Sequence, residues 1–206
     1  MYKIILKRFL DIVLSLGGIT VLAIPMGIIA LAIKLDSKGP VLFKQKRVGC
    51  GKSHFEIYKF RTMLTDTPKD VPTHELSDPT KWITRVGKIL RKTSLDELPQ
   101  LFNILKGEMS VIGPRPALWN QYDLIDEREK YGANDVRPGL TGWAQISGRD
   151  ELEIDIKAKL DGEYVANMSL GFDIKCFIKT IGSVIKSEGF VEGKAKEILP
   201  IENDNK

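Results

Sequence analysis

The stretch IVLSLGGITVLAIPMGIIALAI, residues 12–33, decides how this protein is built. Its 22 residues carry no charge and lie between Asp11 and Lys34. A helix of that length covers roughly 30 Å of hydrocarbon. A secretory signal peptide is the alternative, because residues 30–32 form a crude Ala-x-Ala cleavage motif, but cleavage there would leave a basic segment at the new terminus. We therefore expect a membrane-inserted N-terminal helix.

The basic residues on both sides of this apolar segment, and a proline near its middle, indicate its topology in the membrane. Lys7 and Arg8 precede it, and five Lys or Arg residues follow within residues 34–47. The positive-inside rule places both flanks on the cytoplasmic side. Pro25 lies near the middle, where it removes a backbone donor and favours a bend. Together these features predict a re-entrant helix anchored by Lys7, Arg8 and Pro25; a single-pass helix with a proline kink is the alternative.

Composition and charge limit the classes of partner. The 206 residues are 43% hydrophobic and 28% charged, which indicates a folded chain, and the net charge of +4 is too mild to suggest nucleic acid. Residues 34–61 carry eight basic and two acidic residues. That charge fits anionic phospholipid headgroups or the phosphates of a substrate. Cys50 and Cys176 match no zinc, redox or haem spacing, so we expect a reducing compartment.

The rest of the chain predicts a mostly helical α+β fold. Residues 41–48 and 54–60 have strand-like composition and a Gly-containing connection, which predicts a short β-hairpin. Apolar residues recur at helical spacing within residues 82–92 and 174–186, with Lys and Arg at the other positions. Such amphipathic helices either dock on a core or lie in a membrane interface. Residues 65–79 are predicted to be a loop.

A pair of adjacent acids is the first candidate for chemistry. Ser94 and Glu97 have the spacing of a capping box, so a helix is expected to begin at Ser94 with Asp96 and Glu97 in its first turn. A carboxylate there is stabilised as the anion, which a nucleophile or a metal ligand must be. The plain alternative is a capping device. Adjacent side chains point about 100° apart, which excludes a glycosidase pair but allows both to converge on one Mg²⁺.

Arginines in stiff turns are candidates for phosphate binding. Arg115 lies between Pro114 and Pro116, and a guanidinium held that way suits bidentate contact with a phosphate. An arginine that bridges loops is the alternative. Arg137 and Arg149 lie in further turn-rich segments. The sequence contains neither a P-loop nor a GxGxxG dinucleotide motif.

Four motifs together resemble a known family. They are KFRTM at residues 59–63, SLDELPQL at 94–101, GPRP at 113–116 and RPGLTGWAQ at 137–145. In this order they are similar to the bacterial sugar transferase family, the small monotopic phosphoglycosyl transferases that start glycan assembly on a polyprenyl phosphate. The resemblance reaches to about residue 189 and is closest to initiating transferases of capsular polysaccharide.

The resemblance implies a reaction and its participants. A UDP-sugar, expected to be an N-acetylated hexosamine, and undecaprenyl phosphate would give undecaprenyl-diphosphate-sugar and UMP, with Mg²⁺ as cofactor. Asp96 would attack the sugar-bearing phosphate and carry a covalent phosphosugar. Glu97 would bind Mg²⁺ together with Asp96 or assist proton movement.

The resemblance also assigns roles to seven basic and acidic residues. Substrate phosphate would be bound by Arg115, Lys59, Arg61 and Arg91, the nucleotide by Arg137 and Arg149, and Asp161 would be a further acidic residue of the site.

The implied architecture has three regions. Residues 1–36 would form the re-entrant membrane helix, residues 37–190 a catalytic domain on the cytoplasmic face of the bacterial inner membrane, and residues 191–206 a C-terminal tail. The partners would be the UDP-sugar, the polyprenyl phosphate and membrane phospholipid, with a homodimer left open. Where the family's helix usually has Ser before its proline, this chain has Ile24, and Thr20, one turn away, is expected to supply the hydroxyl.

Two other function classes stay open on the sequence. A membrane-anchored adapter would need only the apolar segment and the basic helices. A phosphohydrolase would use the same acids and Mg²⁺ with water as the acceptor.

Overall fold

The computed structural model describes residues 2–68, 78–148 and 152–185, and within them the chain is mostly helical with two small sheets, which confirms the α+β class. The helices are α1 (Lys7–Asp36), α2 (Arg85–Thr93), α3 (Gln100–Lys106), α4 (Tyr122–Glu129), α5 (Trp143–Ser147), α6 (Ile154–Asn167) and α7 (Leu170–Ile185). The strands are β1 (Leu42–Val48), β2 (His54–Phe60), β3 (Ser110–Ile112) and β4 (Gly139–Thr141). The predicted tail, residues 191–206, and part of the predicted loop, residues 69–77, lie outside the described residues.

The predicted hairpin is confirmed. β1 and β2 pair antiparallel from Leu42 opposite Phe60 to Val48 opposite His54. β3 and β4 form a second, parallel pair that brings the segments after α3 and before α5 together. The hairpin and this parallel pair are joined through α3, which packs on β2 and is followed by β3.

One stripe of α1 faces the rest of the protein along the whole helix. Lys7, Asp11, Ser15 and Ile33 on this stripe are buried. On the opposite face Ile24 is 77% exposed. By length and composition α1 could cross a membrane. One face of α1 packs on the body of the protein and an apolar face is uncovered. The residues that pack against the body between its buried ends are Ile19, Leu22, Met26, Ile29 and Ala30.

Charged side chains fasten the N-terminal end of α1 to the domain. Lys7 Nζ lies 2.6 Å from Asp173 Oδ2 of α7. Arg8 donates to the last two carbonyls before the end of α3, at 2.6 and 2.9 Å. Asp11 Oδ1 accepts from a hydroxyl and a backbone N–H of β3, at 3.0 and 2.9 Å. Lys7 and Arg8, predicted to anchor the helix to the membrane, are therefore bound within the protein, Lys7 by a carboxylate and Arg8 by two backbone carbonyls.

Arg61 fastens the other end of α1. Its side chain is buried, and its three nitrogens donate to the carbonyls of Pro40, Lys38 and Ser37 at 2.7, 2.7 and 2.8 Å. Asp36, the last residue of α1, accepts a backbone N–H from the first turn of α2 at 3.1 Å. The guanidinium of Arg61 therefore holds the loop that follows α1, and its contact with substrate phosphate stays a prediction.

α1 continues as a helix through Pro25. The Thr20 hydroxyl donates to the carbonyl of Leu16 at 2.9 Å. It is therefore not used for the carbonyl of Val21, which loses its normal helical donor at Pro25. The prediction that Thr20 replaces the serine typical of the family is wrong. Both ends of α1 are nevertheless fixed to one domain.

The two acids lie in the first turn of a short 3₁₀ helix directly after Ser94, as predicted, but the predicted capping box is not formed. Ser94 has a left-handed backbone, with φ of 57°, and it ends α2 as a C-cap. An N-cap needs an extended backbone, so Ser94 cannot cap a helix that follows. Asp96 and Glu97 lie in a 3₁₀ turn, Leu95–Glu97, and α3 begins three residues later.

Gly87 marks the closest approach between α2 and the segment after β2. A Cβ at this position would lie 2.0 Å from the carbonyl oxygen of Thr62. We expect Gly87→Ala to lower the free energy of unfolding by about 1–3 kcal/mol, because α2 must move away. Denaturant unfolding in detergent measures this. Gly182→Ala in α7 is the matched control, since a Cβ there meets nothing within 4 Å; equal losses in the two variants would contradict the explanation.

Candidate active site

Four side chains from three parts of the chain meet beside the 3₁₀ turn. Lys59, next to the last residue of β2, places Nζ 2.7 Å from Glu97 Oε1 and 4.0 Å from Asp96 Oδ2. Arg115, from the loop after β3, places Nη2 3.2 Å from the same Glu97 oxygen. The side chains of Asp96 and Glu97 are only 13% and 18% exposed. The structure therefore brings together two carboxylates and two cations that the sequence separates by up to 56 positions.

Glu97 is held as an anion. Burial alone would raise its pKa, but the charges and hydrogen bonds of Lys59 and Arg115 outweigh burial and lower the pKa to about 2. Both contacts are charge-assisted hydrogen bonds, which are stronger than neutral ones. Glu97 therefore fixes the positions of the two cations.

Asp96 differs from its neighbour. Burial, with the adjacent charge of Glu97, raises its pKa, against the opposing charges of Lys59, Arg91 and Arg115. Within the described part of the chain, the Asp96 carboxylate accepts no hydrogen bond. It is a desolvated carboxylate with cations nearby, and such a group suits nucleophilic attack on a phosphorus that carries negative oxygens.

The acidic pair also suits a magnesium ion that is shared with the phosphates of a substrate. Among the described residues no group of three or more His, Cys, Asp or Glu side chains could form a protein cage for a metal. Mg²⁺ instead commonly takes one or two carboxylates together with substrate phosphates and waters. Asp96 and Glu97 supply that number of hard oxygen donors in a half-enclosed position, so the residues fit the ion.

The remaining predicted basic residues differ in position. The charge of Arg91, in the last turn of α2, acts on Asp96, which puts it at the edge of the cluster. Arg137 Nε donates to the carbonyl of Gly107 at 2.9 Å, at the end of α3 that lies away from the dyad. No contact brings Arg137 to Asp96 or Glu97 within the described residues. Arg149 lies outside them.

Asp161 belongs to a different cluster. Its side chain is 1% exposed, and Oδ2 accepts from Nε and Nη2 of Arg128 at 2.8 and 2.6 Å. Burial raises the pKa of Asp161, and the charge of Arg128 opposes that shift. This pair joins α4 to α6. The geometry therefore makes Asp161 a partner of Arg128 in the core, and its role in the site stays a prediction.

Removing one member of this pair should reduce stability. We expect Arg128→Met to lower the free energy of unfolding by about 3 kcal/mol, because the buried Asp161 would lose the cation that is hydrogen-bonded to it. The double variant Arg128→Met with Asp161→Leu should recover much of that loss. Denaturant unfolding of the three proteins measures it. A fully stable Arg128→Met protein would contradict the structural role.

The sequence analysis did not identify Asp173. This residue of α7 accepts from Lys7 at 2.6 Å, from the Tyr164 hydroxyl at 2.8 Å and from the Tyr2 hydroxyl. The signal for it was a lone acid between Phe172 and Ile174 in an apolar helical stretch. Its partners lie up to 171 positions away, so the sequence pattern could not name them.

Comparison with known proteins agrees with the geometry. The family described as "Bacterial sugar transferase" matches residues 2–187. The chain is 43% identical over 185 residues to an undecaprenyl-phosphate glucose phosphotransferase of Komagataeibacter xylinus, covering 85% of this chain and 35% of that protein. It is 40% identical over 189 residues to a UDP-N-acetylgalactosamine-undecaprenyl-phosphate N-acetylgalactosaminephosphotransferase of Aeromonas hydrophila, covering 89% and 44%.

A third relative has about the same length as this chain. The uncharacterized sugar transferase EpsL of Bacillus subtilis (strain 168) is 38% identical over 185 residues, which are 90% of each chain. This chain thus spans less than half of the two larger relatives and nearly all of EpsL. Since both the family match and this full-length similarity include the dyad, Lys59 and Arg115, the chain belongs to the bacterial sugar transferase family.

Proposed function

We propose that this protein is a UDP-sugar:polyprenyl-phosphate sugar-1-phosphate transferase that works through a covalent intermediate on Asp96. The main support for the proposal is the difference between the environments of Asp96 and Glu97. Glu97 is committed to Lys59 and Arg115, whereas Asp96 is desolvated, has a raised pKa and makes no hydrogen bond among the described residues. The names of the relatives support a polyprenyl phosphate acceptor, since two of them are called undecaprenyl-phosphate transferases.

The reaction has two displacements at one phosphorus atom. An Asp96 oxygen attacks the β-phosphorus of the UDP-sugar, the bond from that phosphorus to the bridging oxygen breaks, and UMP leaves with the electron pair. An oxygen of the polyprenyl phosphate then attacks the same phosphorus and releases the Asp96 carboxylate. The product is polyprenyl-diphosphate-sugar, and Asp96 returns to its starting state.

Positive charge makes the meeting of three anions feasible. Lys59 and Arg115 lie beside the dyad, and Arg91 acts on Asp96 from α2. Arg115 is 39% exposed, so it can reach phosphate oxygens while Glu97 holds one edge of its guanidinium. Mg²⁺ held by Glu97 and Asp96 would add charge neutralisation at the phosphates. Fixed cations of this kind stabilise the charge that shifts toward the leaving UMP.

The attachment of α1 supports a monotopic arrangement in one membrane leaflet. Both ends of the helix are fixed to the same domain, by Lys7 and Arg8 at one end and Arg61 at the other. A helix held in this way cannot carry its two ends to opposite sides of a bilayer. We propose residues 1–36 as the membrane-inserted region and residues 37–190 as the catalytic domain, on the cytoplasmic face of the bacterial inner membrane, in contact with phospholipid.

α7 supports the same membrane face. One side of this helix is buried through Asp173 and Cys176. The other side exposes a continuous apolar stripe, which suits an interface with lipid. Because Asp173 binds Lys7, this stripe is attached at the N-terminal end of α1. The exposed residues of the stripe are Leu170, Ile174, Phe177, Ile178 and Ile181.

The test is formation of a lipid-linked product. Purified protein in detergent is incubated with Mg²⁺, undecaprenyl phosphate and one radiolabelled UDP-sugar at a time, and the organic phase is separated by thin-layer chromatography. We expect one donor to give a labelled lipid that depends on undecaprenyl phosphate, and we propose an N-acetylated hexosamine as that donor. Labelled free sugar phosphate in place of labelled lipid would indicate a phosphohydrolase and contradict the proposal.

A further inference from the structure

Asn103 is a polar residue inside the apolar core between α3 and β2. Its side chain is fully buried. Oδ1 accepts the backbone N–H of Tyr58 at 2.9 Å, and Nδ2 donates to the carbonyl of Glu56 and to Glu108 Oε2, each at 2.7 Å. All the usual capacity of the amide to donate is therefore used. A fully satisfied buried amide of this kind fixes a geometry that apolar contacts alone leave loose.

Two of these bonds satisfy backbone groups of β2 that a further strand would otherwise pair with. Among the residues that the structure describes, β2 has a partner strand, β1, on one side only, so backbone groups at its other edge have no strand to pair with. Asn103 satisfies the N–H of Tyr58 and the carbonyl of Glu56, which lie two residues apart on that edge. The N–H and C=O of one residue in a parallel neighbouring strand would satisfy the same two groups. α3 is thereby fixed in register with β2.

This register determines where the active-site lysine lies. Lys59 directly follows Tyr58 on β2, and the dyad ends three residues before α3 begins. The 2.7 Å contact between Lys59 and Glu97 therefore depends on how β2 and α3 are aligned. The contacts among Ile57, Leu101 and Ile104 are apolar and do not specify direction. Lys106, the last residue of α3, also donates to the Tyr58 hydroxyl at 2.5 Å, but this contact is exposed, whereas the bonds of Asn103 are buried.

We propose that Asn103 is a positioning residue that acts through Lys59: its amide sets the register of β2 against α3 and so places Lys59 Nζ at the dyad. Asn103 touches no reacting group itself. The inference rests on the proposed transferase function, and it adds a specific cause for the geometry of that site.

A double-mutant cycle tests whether Asn103 acts through Lys59. Asn103→Asp keeps the acceptor for Tyr58 and removes both donated bonds. We expect kcat to fall by about ten- to a hundredfold with the donor KM changed less than about threefold, because the chemistry and not donor binding depends on Lys59. In a Lys59→Met background the same substitution should lower kcat by less than about twofold. A merely structural role would give the same fold-change in both backgrounds.

Asn134→Asp is the matched control. Asn134 is also buried, and its amide also donates to a backbone carbonyl and to a glutamate, Ile125 at 2.8 Å and Glu129 at 2.9 Å. These partners lie in α4, so this substitution should lower stability with the same small change of kcat in both backgrounds. Asn103→Leu is the second variant if Asn103→Asp does not fold, since it removes all three bonds at similar volume.

The outcomes separate this inference from the proposed function. Strong coupling of Asn103 to Lys59 and none of Asn134 supports the positioning role. Multiplicative effects of Asn103→Asp and Lys59→Met in an active protein overturn the positioning role alone. Absence of turnover by folded wild-type protein overturns the proposed function, and this inference with it.

Discussion

Replacing Asp96 by Asn is expected to lower turnover by about three orders of magnitude or more, the scale of losing a covalent nucleophile. The amide has nearly the same shape, but it cannot form the acyl phosphate bond and carries no negative charge. The change also removes the charge next to Glu97, whose two cations remain bound to it. We therefore expect the variant to fold, since it relieves the repulsion that helps to raise the pKa of Asp96.

Intact-protein mass spectrometry distinguishes loss of the nucleophile from other causes. Wild-type protein given the UDP-sugar without polyprenyl phosphate should gain the mass of one sugar phosphate, and Asp96→Asn should not. Glu97→Gln is the comparison, because it should slow the chemistry while Asp96 still forms the adduct. Turnover that survives in Asp96→Asn would remove Asp96 as the nucleophile.

Replacing Lys59 by Met is expected to have the second largest effect. Lys59 is the cation shared by both carboxylates, and its side chain is only 16% exposed. Its loss should lower kcat about a hundredfold, as for other removed transition-state cations. It should also lower the free energy of unfolding by about 2 kcal/mol, since Arg115 would then be the one partner left to Glu97 among the described residues. Lys44→Met on β1 is the control, because Lys44 is 52% exposed and away from the dyad.

The stability loss in Lys59→Met should depend on pH in a defined direction. In the wild-type protein the pKa of Glu97 is lowered from 4.5 to about 2, so its stabilising contribution is present above pH 4.5 and is lost as the pH falls toward 2. In the variant only Arg115 is left of the two cations that oppose burial, so the pKa of Glu97 should be higher than in the wild-type protein. The difference in unfolding free energy between the two proteins should therefore be largest near neutral pH and shrink as the pH falls from the pKa of Glu97 in the variant toward 2. A constant difference across this range would contradict the pairing of Lys59 with Glu97.

The elements that the sequence predicted correctly are those formed by residues close together in the chain. The hairpin followed from two β-rich runs around glycines, and the apolar helix from 22 uncharged residues. Asp96, Glu97, Lys59 and Arg115 were all named from motifs, and the structure joins them. Each of these features depends on residues close together in the sequence or on a resemblance that covers the motif.

Long-range contacts account for what the sequence did not predict. Lys7, Arg8 and Arg61 look like surface cations in the sequence, but each is satisfied by groups at least 21 positions away. The capping box at Ser94 is not formed because Ser94 has a left-handed backbone and ends the preceding helix. The spacing of Ser94 and Glu97 does not specify that backbone conformation. Lys7 and Arg8 therefore attach α1 to its own domain, whereas the sequence alone had assigned them to the membrane.

The identity of the released nucleotide tests the central claim most directly. Folded wild-type protein is incubated with its UDP-sugar donor, undecaprenyl phosphate and Mg²⁺, and the nucleotide is identified by anion-exchange chromatography. Attack at the β-phosphorus transfers the sugar together with its phosphate, so the account predicts UMP in amounts equal to the lipid product. Release of UDP, with the sugar transferred without its phosphate, would contradict the account.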